Sequence, residues 1–310
     1  MNNLPIFPDK RQFILDDIEW YHQHYKKSGL SPYSDISPDD LFVWLNFNND
    51  LSVSKLGDGI VLTYTNTLDN NATNLLPLLP NLDDDSINSI MVYLKNHNKP
   101  QEIKEVPLLL CDNLSPEKWY IEKDIDSYEY ILNNEEQTLL QGNKHSRQRR
   151  RINYFEKCHS NSKIDVILID EIDNNIKNVF LDFVRNMPLN STDEGCRKNT
   201  SEHEAIKVNL DYAHIFNKKI LIIKIDEKIA SVSLISYIDK KAVAINHLKV
   251  DYSIQYIFQY TLYILATKLG EEGISEMNIE QDLGIEGIRT FKKRLNPSRY
   301  LEKVRIRPMV

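Results

Sequence analysis

The sequence predicts an α/β protein with a mixed sheet, organised in two domains. At 310 residues the chain exceeds one ordinary domain, because domains average about 100–200 residues. Hydrophobic residues make up 41% and charged residues 27%, values near globular averages that exclude a disordered chain, a collagen or a coiled-coil rod. Residues 163–307 alternate between strand and helix patterns in the order β, α, α, β, β, β, α, β, α, β.

Each element of the second half follows from a local pattern. β-Branched runs bounded by charged residues predict strands, and apolar residues three or four apart predict helices. Ser201 and Glu204 form a capping-box pattern that starts a helix, and the central strands are separated by hairpin-length turns. The predicted elements are strand 163–170, helices 172–184 and 200–216, strands 219–225, 229–238 and 242–250, helix 253–269, strand 275–280, helix 285–295 and strand 301–307.

The first half has weaker patterns, but it also predicts a mixture of helices and strands. The sequence LGDG supplies the turn of a hairpin between two β-rich runs. Periodic apolar residues indicate three helices, a β-rich run at 103–110 indicates a further strand, and the polar stretch 66–74 predicts a loop. The predicted elements are helices 9–27 and 37–46, hairpin 51–65, helix 83–94 and strand 103–110.

Charge is unevenly distributed along the chain. The formal net charge is −7, yet residues 141–157 carry +5 and residues 288–307 carry +7. An acidic body with two basic segments excludes a general nucleic-acid coat protein and favours a local site for a polyanion or a phosphate-bearing ligand. The alternative is that both segments are solvated helix faces.

Several classes of protein are excluded by what the sequence lacks. Three cysteines that are far apart provide no disulfide framework, which favours a reducing compartment. No signal peptide is evident at the N-terminus, and the uncharged run 252–267 falls short of the roughly 20 apolar residues of a membrane span. We therefore expect a cytoplasmic protein without a transmembrane segment. The histidine spacings do not suit a metal site, so no metal is expected.

Two motifs carry a resemblance to a known family. The first lies in 278–297 and the second in 135–157, and the matching residues are Asn278, Glu280, Asp282, Leu283, Gly284, Gly287, Ile288, Arg289 and Lys292, then Leu140, Gly142, Lys144, Arg149, Ile152, Asn153 and Phe155. This pattern resembles the C-terminal catalytic domain of bacterial lysyl-phosphatidylglycerol synthases. That family has a tandem-GNAT fold and is related to the Fem peptidyltransferases.

The resemblance implies tandem GNAT-like acyltransferase domains. Residues 1–140 are expected to form a degenerate N-terminal domain, 141–160 a basic connector helix and 161–310 the catalytic domain. In this arrangement an acyl donor lies between two diverging strands and a nucleophile attacks its carbonyl directly. The protein then supplies orientation, a proton acceptor and donors to the developing oxyanion.

Asp282 and Glu280 are the predicted catalytic residues. They stand at the end of a strand just before a helix, where a carboxylate can hold the α-ammonium of an aminoacyl donor or accept the proton of the nucleophile. Asp282 is alternatively only an N-cap. The predicted substrate-binding residues are Asn278, Gly284, Arg289, Lys292, Lys249 and Asp251.

These substrate-binding assignments also have structural alternatives. Arg289 and Lys292 share a helix face that can bind a phosphate or a carboxylate, or they form a surface pair. Lys249 and Asp251 point to the same side of a strand, as a pocket pair or as an exposed ion pair. Basic residues are predicted to contact the phosphates of a tRNA acceptor stem, rather than DNA, and these are Lys144, Arg147, Arg149, Arg150, Arg151, Lys293 and Arg294.

The predicted function is that of a soluble aminoacyltransferase that uses aminoacyl-tRNA as donor and needs no further cofactor. The acceptor is an amine, a hydroxyl or a related small nucleophile, or a lipid headgroup. One alternative is an N-acyltransferase with a coenzyme A ester as donor. The other is a catalytically inactive tandem-GNAT binding module, because Arg150 replaces a usual Asn and Leu248 replaces a usual Glu of the family.

Overall fold

A computed structural model describes residues 3–45, 50–66, 72–80, 82–187 and 199–309. The chain divides into two compact units that are described separately. Unit 1 comprises Met1–Glu129, Gln281–Glu286 and Tyr300–Val310, and unit 2 comprises Tyr130–Glu280 and Gly287–Arg299. The domain boundaries predicted from the sequence, 1–140, 141–160 and 161–310, stay a prediction.

The described residues form both helices and strands along the length of the chain. The helices are α1 Ile18–Lys27, α2 Pro38–Asp40, α3 Asp84–Asn96, α4 Asn134–Leu139, α5 Ser146–Cys158, α6 Asn174–Arg185, α7 Asn199–Asp211, α8 Ile257–Glu271 and α9 Glu286–Lys293. The strands are β1 Arg11–Gln12, β2 Ser52–Leu56, β3 Gly59–Asn66, β4 Ala72–Leu78, β5 Ile103–Pro107, β6 Trp119–Lys123, β7 Glu129–Asn133, β8 Ile164–Ile169, β9 Lys218–Ile225, β10 Lys228–Tyr237, β11 Ala242–Val250, β12 Glu276–Gln281, β13 Arg299–Leu301 and β14 Lys303–Pro308.

Unit 1 contains two antiparallel sheets, with strand orders β1-β2-β3-β4 and β5-β14-β6. The predicted hairpin is confirmed, with Leu56 opposite Gly59 across the turn. A Cβ atom on Gly59 would lie 2.6 Å from the carbonyl oxygen of Leu78, so only glycine fits beside β4. The tight turn therefore depends on this residue as well as on the β-rich runs that flank it.

Unit 1 also buries a group of charged side chains around Lys303. Its ammonium donates to Asp35 and, at 2.9 Å, to Glu129 Oε1. The backbone N–H and the hydroxyl of Ser34 donate to Glu129 Oε2 at 2.8 and 2.7 Å. Burial opposes ionisation of Glu129, but Lys303 and these hydrogen bonds outweigh it and lower its pKa to about 2. Burial and the Glu129 charge raise the pKa of Asp35 well above its usual value, although the Lys303 charge acts in the opposite direction.

Unit 2 is built on a seven-stranded mixed sheet in the order β13-β7-β12-β11-β10-β9-β8. Strands β8 to β11 are antiparallel neighbours, whereas β11 and β12 run parallel. One face packs on α5 and α8 through residues such as Phe155, Tyr260 and Leu265. The other face packs on α6 and α7 through Phe180 and Ile206. Successive side chains along a strand point to opposite faces of the sheet, so each strand contributes residues to both cores.

The parallel pair β11 and β12 stays in register over a short distance. Ala242 lies opposite Glu276, Val243 opposite Met277, and Ala244 opposite Asn278. The paired register ends there, although β11 continues to Val250 and β12 to Gln281. Beyond these residues no pairing of β11 with β12 is described, although β11 stays paired with β10 as far as Val250.

The predicted order of elements in the second half is confirmed, with small differences in their boundaries. The last predicted strand divides into β13 and β14, and β14 pairs with β5 and β6 in unit 1. In the first half, part of predicted helix 9–27 is extended, with β1 and a 3₁₀ turn preceding α1. Predicted helix 37–46 is a short α2 followed by a π-helical turn over Leu41–Leu45, and residue 46 lies outside the described residues.

Within the described ranges, no helix combines the length and the apolar character needed to cross a bilayer. The most apolar long helix, α8, has 15 residues and lies in the core of unit 2.

Candidate active site

Glu280 stands where β12 leaves the paired part of the sheet. Its backbone is in the left-handed region, with φ of +61°, which is uncommon for a residue other than glycine. The Glu280 N–H donates to Asn278 Oδ1 at 2.7 Å, and this bond holds the local conformation. Such backbone strain costs on the order of 1–3 kcal/mol and concentrates at functional sites, so it makes Glu280 a candidate functional residue.

A row of polar side chains leads across the sheet to Glu280. Lys218 Nζ donates to Ser236 Oγ at 3.3 Å and to Asn246 Oδ1 at 3.1 Å, and Ser236 Oγ donates to the same amide oxygen at 2.5 Å. Asn246 Nδ2 then donates to Glu280 Oε1 at 3.5 Å. We call Lys218, Ser236, Asn246 and Glu280 the polar row. They come from β9, β10, β11 and β12, so four neighbouring strands contribute one residue each.

Hydrogen bonding within the polar row fixes the orientation of Asn246. Because a lysine ammonium only donates, the atom of Asn246 that faces Lys218 must be the amide oxygen. The amide NH₂ consequently points across the gap between β11 and β12 towards Glu280. Lys218, Ser236 and Asn246 are buried, so these dipoles act in a medium of low dielectric constant.

A neutral histidine lies beside the polar row. His247 is buried, and burial together with the charges of Lys249 and Lys218 lowers its pKa well below the usual value. The side-chain amide of Asn209 lies 3.1 Å from His247 Nε2 and joins this ring to α7. Sequence reasoning missed Lys218, Ser236, Asn246 and His247. The sequence signal that could have indicated this site is the polar pair Asn246 and His247 within the otherwise apolar run of β11.

An apolar cavity of about 140 Å³ lies on the face of the sheet that packs on α8 and α9. It begins where β11 and β12 lose register, because both strands contribute an isoleucine from that point. The ammonium of Lys292 donates to the backbone oxygen of Ile279 and lies 5.8 Å from the centroid of the Tyr130 ring. The cavity is lined by Ile245, Leu248, Phe258, Leu262, Ile279, Phe291, Lys292 and Leu295.

Asp282, the other predicted catalytic residue, lies in unit 1 and is buried. Its Oδ1 accepts the N–H of Gly284 at 2.9 Å, which stabilises the turn before α9. Gly284 has φ of +71°, and a Cβ atom there would lie 3.1 Å from Asp126 Cγ. Asp282 lies four residues before the first residue of α9, so this turn contact differs from the N-cap considered from the sequence. The catalytic role of Asp282 stays a prediction.

The predicted pair Lys249 and Asp251 have separate partners. Lys249 Nζ lies 2.6 Å from Glu202 Oε1, so it joins β11 to α7. Asp251 Oδ1 accepts the N–H and the hydroxyl of Ser253 at 2.9 and 2.6 Å, which shapes the turn after β11. Asp251 also lines a wider cleft of about 500 Å³ beside α6. Their roles in substrate binding stay predictions.

The remaining predicted substrate-binding residues lie on β12 and α9. Asn278 is buried and holds the Glu280 backbone, as described above. Arg289 and Lys292 are half-buried one helical turn apart on α9, and Lys292 lines the apolar cavity. The sequence therefore identified Glu280 and Lys292, which lie near the end of the β11–β12 pairing. It did so from the strand end and the helix face, and it did not predict the cavity.

The two basic segments meet in unit 2. Asn296 Nδ2 donates to the backbone oxygen of Lys144 at 2.9 Å, which joins the end of α9 to the start of α5. Burial lowers the pKa of Arg151, and so do the nearby charges of Arg147 and Arg294. Its guanidinium lies 5.4 Å from the centroid of the Tyr256 ring. We call Arg147, Arg151 and Arg294 the basic cluster.

Other basic residues of these segments have structural partners. Lys144 Nζ lies 2.7 Å from Glu136 Oε2, and Arg149 donates to the backbone oxygens of Leu140 and Gly142. In unit 1, Lys303 is the buried cation described above, and Arg305 and Arg307 pair with carboxylates across the sheet β5-β14-β6. Among the described residues, some exposed cations form no ion pair, and these are Arg147, Arg150, Lys293 and Arg294.

Comparisons with known proteins identify the family and the fold. The family described as phosphatidylglycerol lysyltransferase, C-terminal, matches residues 35–306. A conserved protein of unknown function from Bacteroides thetaiotaomicron has a TM-score of 0.75 at 20% identity, covering 97% of this chain and 99% of its own. L-PGS from Bacillus licheniformis has a TM-score of 0.55 at 13% identity, covering 96% and 92%. FemX has a TM-score of 0.54 at 9% identity, covering 96% of each chain. No curated protein matches the chain.

The solved structures, at these identities, bear on the fold. They confirm the predicted mixed α/β class with tandem GNAT-like domains. The family match extends over most of the sequence, which confirms the resemblance inferred from the two motifs. The chain belongs to the phosphatidylglycerol lysyltransferase C-terminal family and is an acyltransferase of that type.

Proposed function

We propose that this protein transfers an amino acid from aminoacyl-tRNA to a nucleophile. The acceptor is an amine, a hydroxyl or a related small nucleophile, or the headgroup of a lipid. The observation that carries the proposal is the basic cluster, because the hydrogen bond from Asn296 to Lys144 joins two basic segments that are more than a hundred residues apart, and the Arg294 charge lowers the pKa of Arg151. Neighbouring like charges repel each other, and a polyanion bound across them would remove that cost.

The chemical nature of the basic cluster favours tRNA phosphates. Arginine guanidinium groups bind phosphate oxygens in a bidentate manner, and contacts with the backbone fix position without reading sequence. The proposal assigns phosphate contacts to the exposed residues Arg147, Arg150, Lys293 and Arg294 and to half-buried Arg151. Lys144 and Arg149 have structural partners, so their contribution would come through the shape of the connector.

Glu280 is the proposed proton acceptor. The nucleophile attacks the carbonyl carbon of the aminoacyl ester, a new C–N or C–O bond forms, and the bond to the ribose oxygen breaks. The proton of the nucleophile passes to Glu280, and the ribose oxygen takes up a proton as it leaves. Asn246 Nδ2, which is oriented by Lys218 and Ser236, can donate to the oxygen on which negative charge develops.

Asp282 retains a proposed supporting role in this scheme. Its turn contact with Gly284 would hold the loop that follows Glu280, and its carboxylate remains a proposed ligand for the donor ammonium. Asn278 would preserve the backbone conformation of Glu280. Arg289, Lys249 and Asp251 remain proposed contacts for the acceptor. The reaction requires no cofactor beyond the donor, and we propose that it occurs in the cytoplasm, where aminoacyl-tRNAs are formed.

The test follows label from tRNA to product. Total tRNA is charged with a mixture of radiolabelled amino acids and incubated with the protein and an extract of its host. We expect protein-dependent transfer of label that is abolished when the tRNA is first treated with ribonuclease. Transfer from labelled acetyl-CoA without transfer from tRNA would replace the proposal by the coenzyme A alternative. The absence of transfer from either donor would favour the inactive binding module.

Variants connect the measured transfer to the site. Glu280→Gln should lower kcat by about 10²–10⁴-fold, the usual range for loss of a general base. Glu227→Gln is a matched control, because Glu227 also has a positive φ but lies exposed in the turn between β9 and β10. Arg294→Glu should raise the KM for tRNA and weaken its salt dependence, with Lys240→Glu as the exposed control. Equal kcat values for Glu280→Gln and the control would exclude Glu280 as the base.

A further inference from the structure

The apolar cavity has the size of a single side chain. Its volume of about 140 Å³ is close to that of a cavity of about 150 Å³ that binds benzene in an engineered protein. The described residues that line it comprise seven apolar side chains and Lys292. Phe258 and Phe291 meet edge to face, with ring centroids 4.9 Å apart, and give the cavity a defined wall. An aliphatic or aromatic group of four to seven carbon atoms matches this space.

Electrostatics disfavours a cationic occupant of this cavity. The charged residue in the lining is Lys292, whose ammonium contacts the Ile279 oxygen at the cavity wall. A second ammonium or a guanidinium placed there would lose its hydration, and the described lining offers it no carboxylate. An apolar group would instead exchange water for contacts with isoleucine, leucine and phenylalanine side chains.

In both β11 and β12, the residue that lines the cavity directly precedes a residue of the proposed reaction centre. Ile245 and Ile279 line the cavity, while the residues that follow them, Asn246 and Glu280, form the contact across the strand gap. Neighbouring Cα atoms are about 3.8 Å apart, which is within the reach of an amino-acid side chain. The cavity and the polar row lie on opposite faces, and the described pairing of β11 with β12 ends at Ala244 and Asn278, directly before these four residues.

We infer that the cavity receives the side chain of the transferred amino acid and selects a bulky apolar residue, of the leucine, isoleucine or phenylalanine class, over a cationic one. This inference rests on the proposed aminoacyl transfer and adds the class of its donor. Leu248, Phe258, Ile279 and Phe291 become the residues that determine specificity. The donor carbonyl would then lie beside the contact of Asn246 with Glu280.

The first arm of the test compares purified aminoacyl-tRNAs as donors to the wild-type protein. We expect kcat/KM for leucyl-, isoleucyl- or phenylalanyl-tRNA to exceed that for alanyl-tRNA by roughly 10–200-fold, as apolar pockets discriminate. Lysyl- and arginyl-tRNA should be poorer still. Efficient transfer from lysyl-tRNA with little from the apolar donors would overturn the inference and leave the proposed function intact.

The second arm alters the cavity. Leu248→Glu should lower transfer from leucyl-tRNA by at least 10-fold and raise transfer from lysyl-tRNA, because the new carboxylate can pair with an ammonium. Leu139→Glu, at an exposed leucine on α4, is the matched control and should keep the wild-type preference. If Leu248→Glu does not fold, Ile279→Ala enlarges the same cavity and should shift preference towards phenylalanyl-tRNA. An unchanged preference in the folded variants would overturn the inference.

The third arm does not depend on transfer. The melting temperature is measured with non-hydrolysable leucyl- and lysyl-amino-adenosine, since a ligand that binds the folded state raises it. Greater stabilisation by the leucyl compound is expected, and Leu248→Glu should reverse the order. If no aminoacyl-tRNA supports transfer, the proposed function fails, and this comparison still decides the class of group that the cavity accepts. Equal or greater stabilisation of the wild type by the lysyl compound would overturn the inference.

Discussion

Each unit of the protein buries a lysine, but the two lysines have different partners. In unit 1, Lys303 contacts the carboxylates of Asp35 and Glu129, and its pKa is raised because their attraction outweighs burial. In unit 2, Lys218 donates to the neutral oxygens of Ser236 and Asn246. Both lysines are almost completely inaccessible to solvent. The same residue type therefore completes an ion-pair cluster in one unit and orients an amide in the other.

The different partners indicate a structural role for Lys303 and a functional role for Lys218. The cluster around Lys303 holds β14 against Glu129 and Ser34, and its charges compensate one another within unit 1. The polar row around Lys218 ends at Glu280, a strained residue beyond the described pairing of β11 with β12. A compensated cluster mainly affects folding, whereas an oriented dipole beside a carboxylate affects a reaction. Three predictions test this comparison.

The largest expected effect is on the stability of unit 1. Lys303→Met leaves the Glu129 charge buried without its cation, and breaking a buried pair in this way costs about 3–5 kcal/mol. The free energy of unfolding, measured by urea denaturation at neutral pH, should fall by that amount. Lys123→Met is the control, because Lys123 is largely exposed and lies 3.4 Å from Glu302. A similar, small change in both variants would contradict the structural role of the Lys303 cluster.

The stabilisation from Lys303 should also depend on pH. The Glu129 carboxyl has a pKa of about 2 in the folded protein and 4.5 as its ordinary value, so its contribution is complete above pH 4.5 and is lost as the pH falls towards 2. The difference in unfolding free energy between wild type and Lys303→Met should therefore shrink over this range, by an amount on the order of a few kcal/mol. A difference that stays constant from pH 6 to pH 2 would show that Glu129 does not interact with Lys303 as an ion.

The smallest effect on stability is expected at Lys218. Lys218→Met removes the described donor to Ser236 Oγ and one of the two donors to Asn246 Oδ1, which costs about 1–3 kcal/mol. As a positioning residue for Asn246, it should matter more for turnover, with a fall in kcat of roughly 10²-fold and an unchanged KM for tRNA. Lys219→Met is the control on the same strand, since Lys219 pairs with Glu272 and Asp170. A loss of stability in Lys218→Met without a selective loss of kcat would remove Lys218 from the proposed mechanism.

Local patterns predicted the secondary structure of the second half well. The β-branched runs of β8 to β11 were sufficient, because such elements are largely determined by residues close in sequence. Helix α7 begins at Asn199, so the predicted capping residue Ser201 lies within the helix and not before it. The start of α1 was predicted too early, since residues 11–12 pair with β2 instead of extending the helix. Local periodicity does not show that a segment pairs with residues some forty positions away.

The site was recognised in part. The spacing of Asn278, Glu280 and Asp282 marked the strand end and carried the resemblance that the family match confirms. Lys218, Ser236 and Asn246 were missed, because each comes from a different strand and has an ordinary polar neighbourhood in the sequence. The basic segments were recognised from charge alone, but nothing local indicated that Lys303 pairs within a buried cluster while Arg294 stays exposed.

The sequence by itself determined the order of strands and helices, the two basic segments and the family, because these depend on composition, periodicity and the spacing of motif residues. The tertiary structure decided that β14 lies between β5 and β6, that β11 and β12 pair over three residues, and that four strands align Lys218 with Glu280. The physical reason is that strand pairing and register depend on contacts between residues far apart in the chain. The apolar cavity, on the opposite face of the sheet from the polar row, exists only after those contacts have formed.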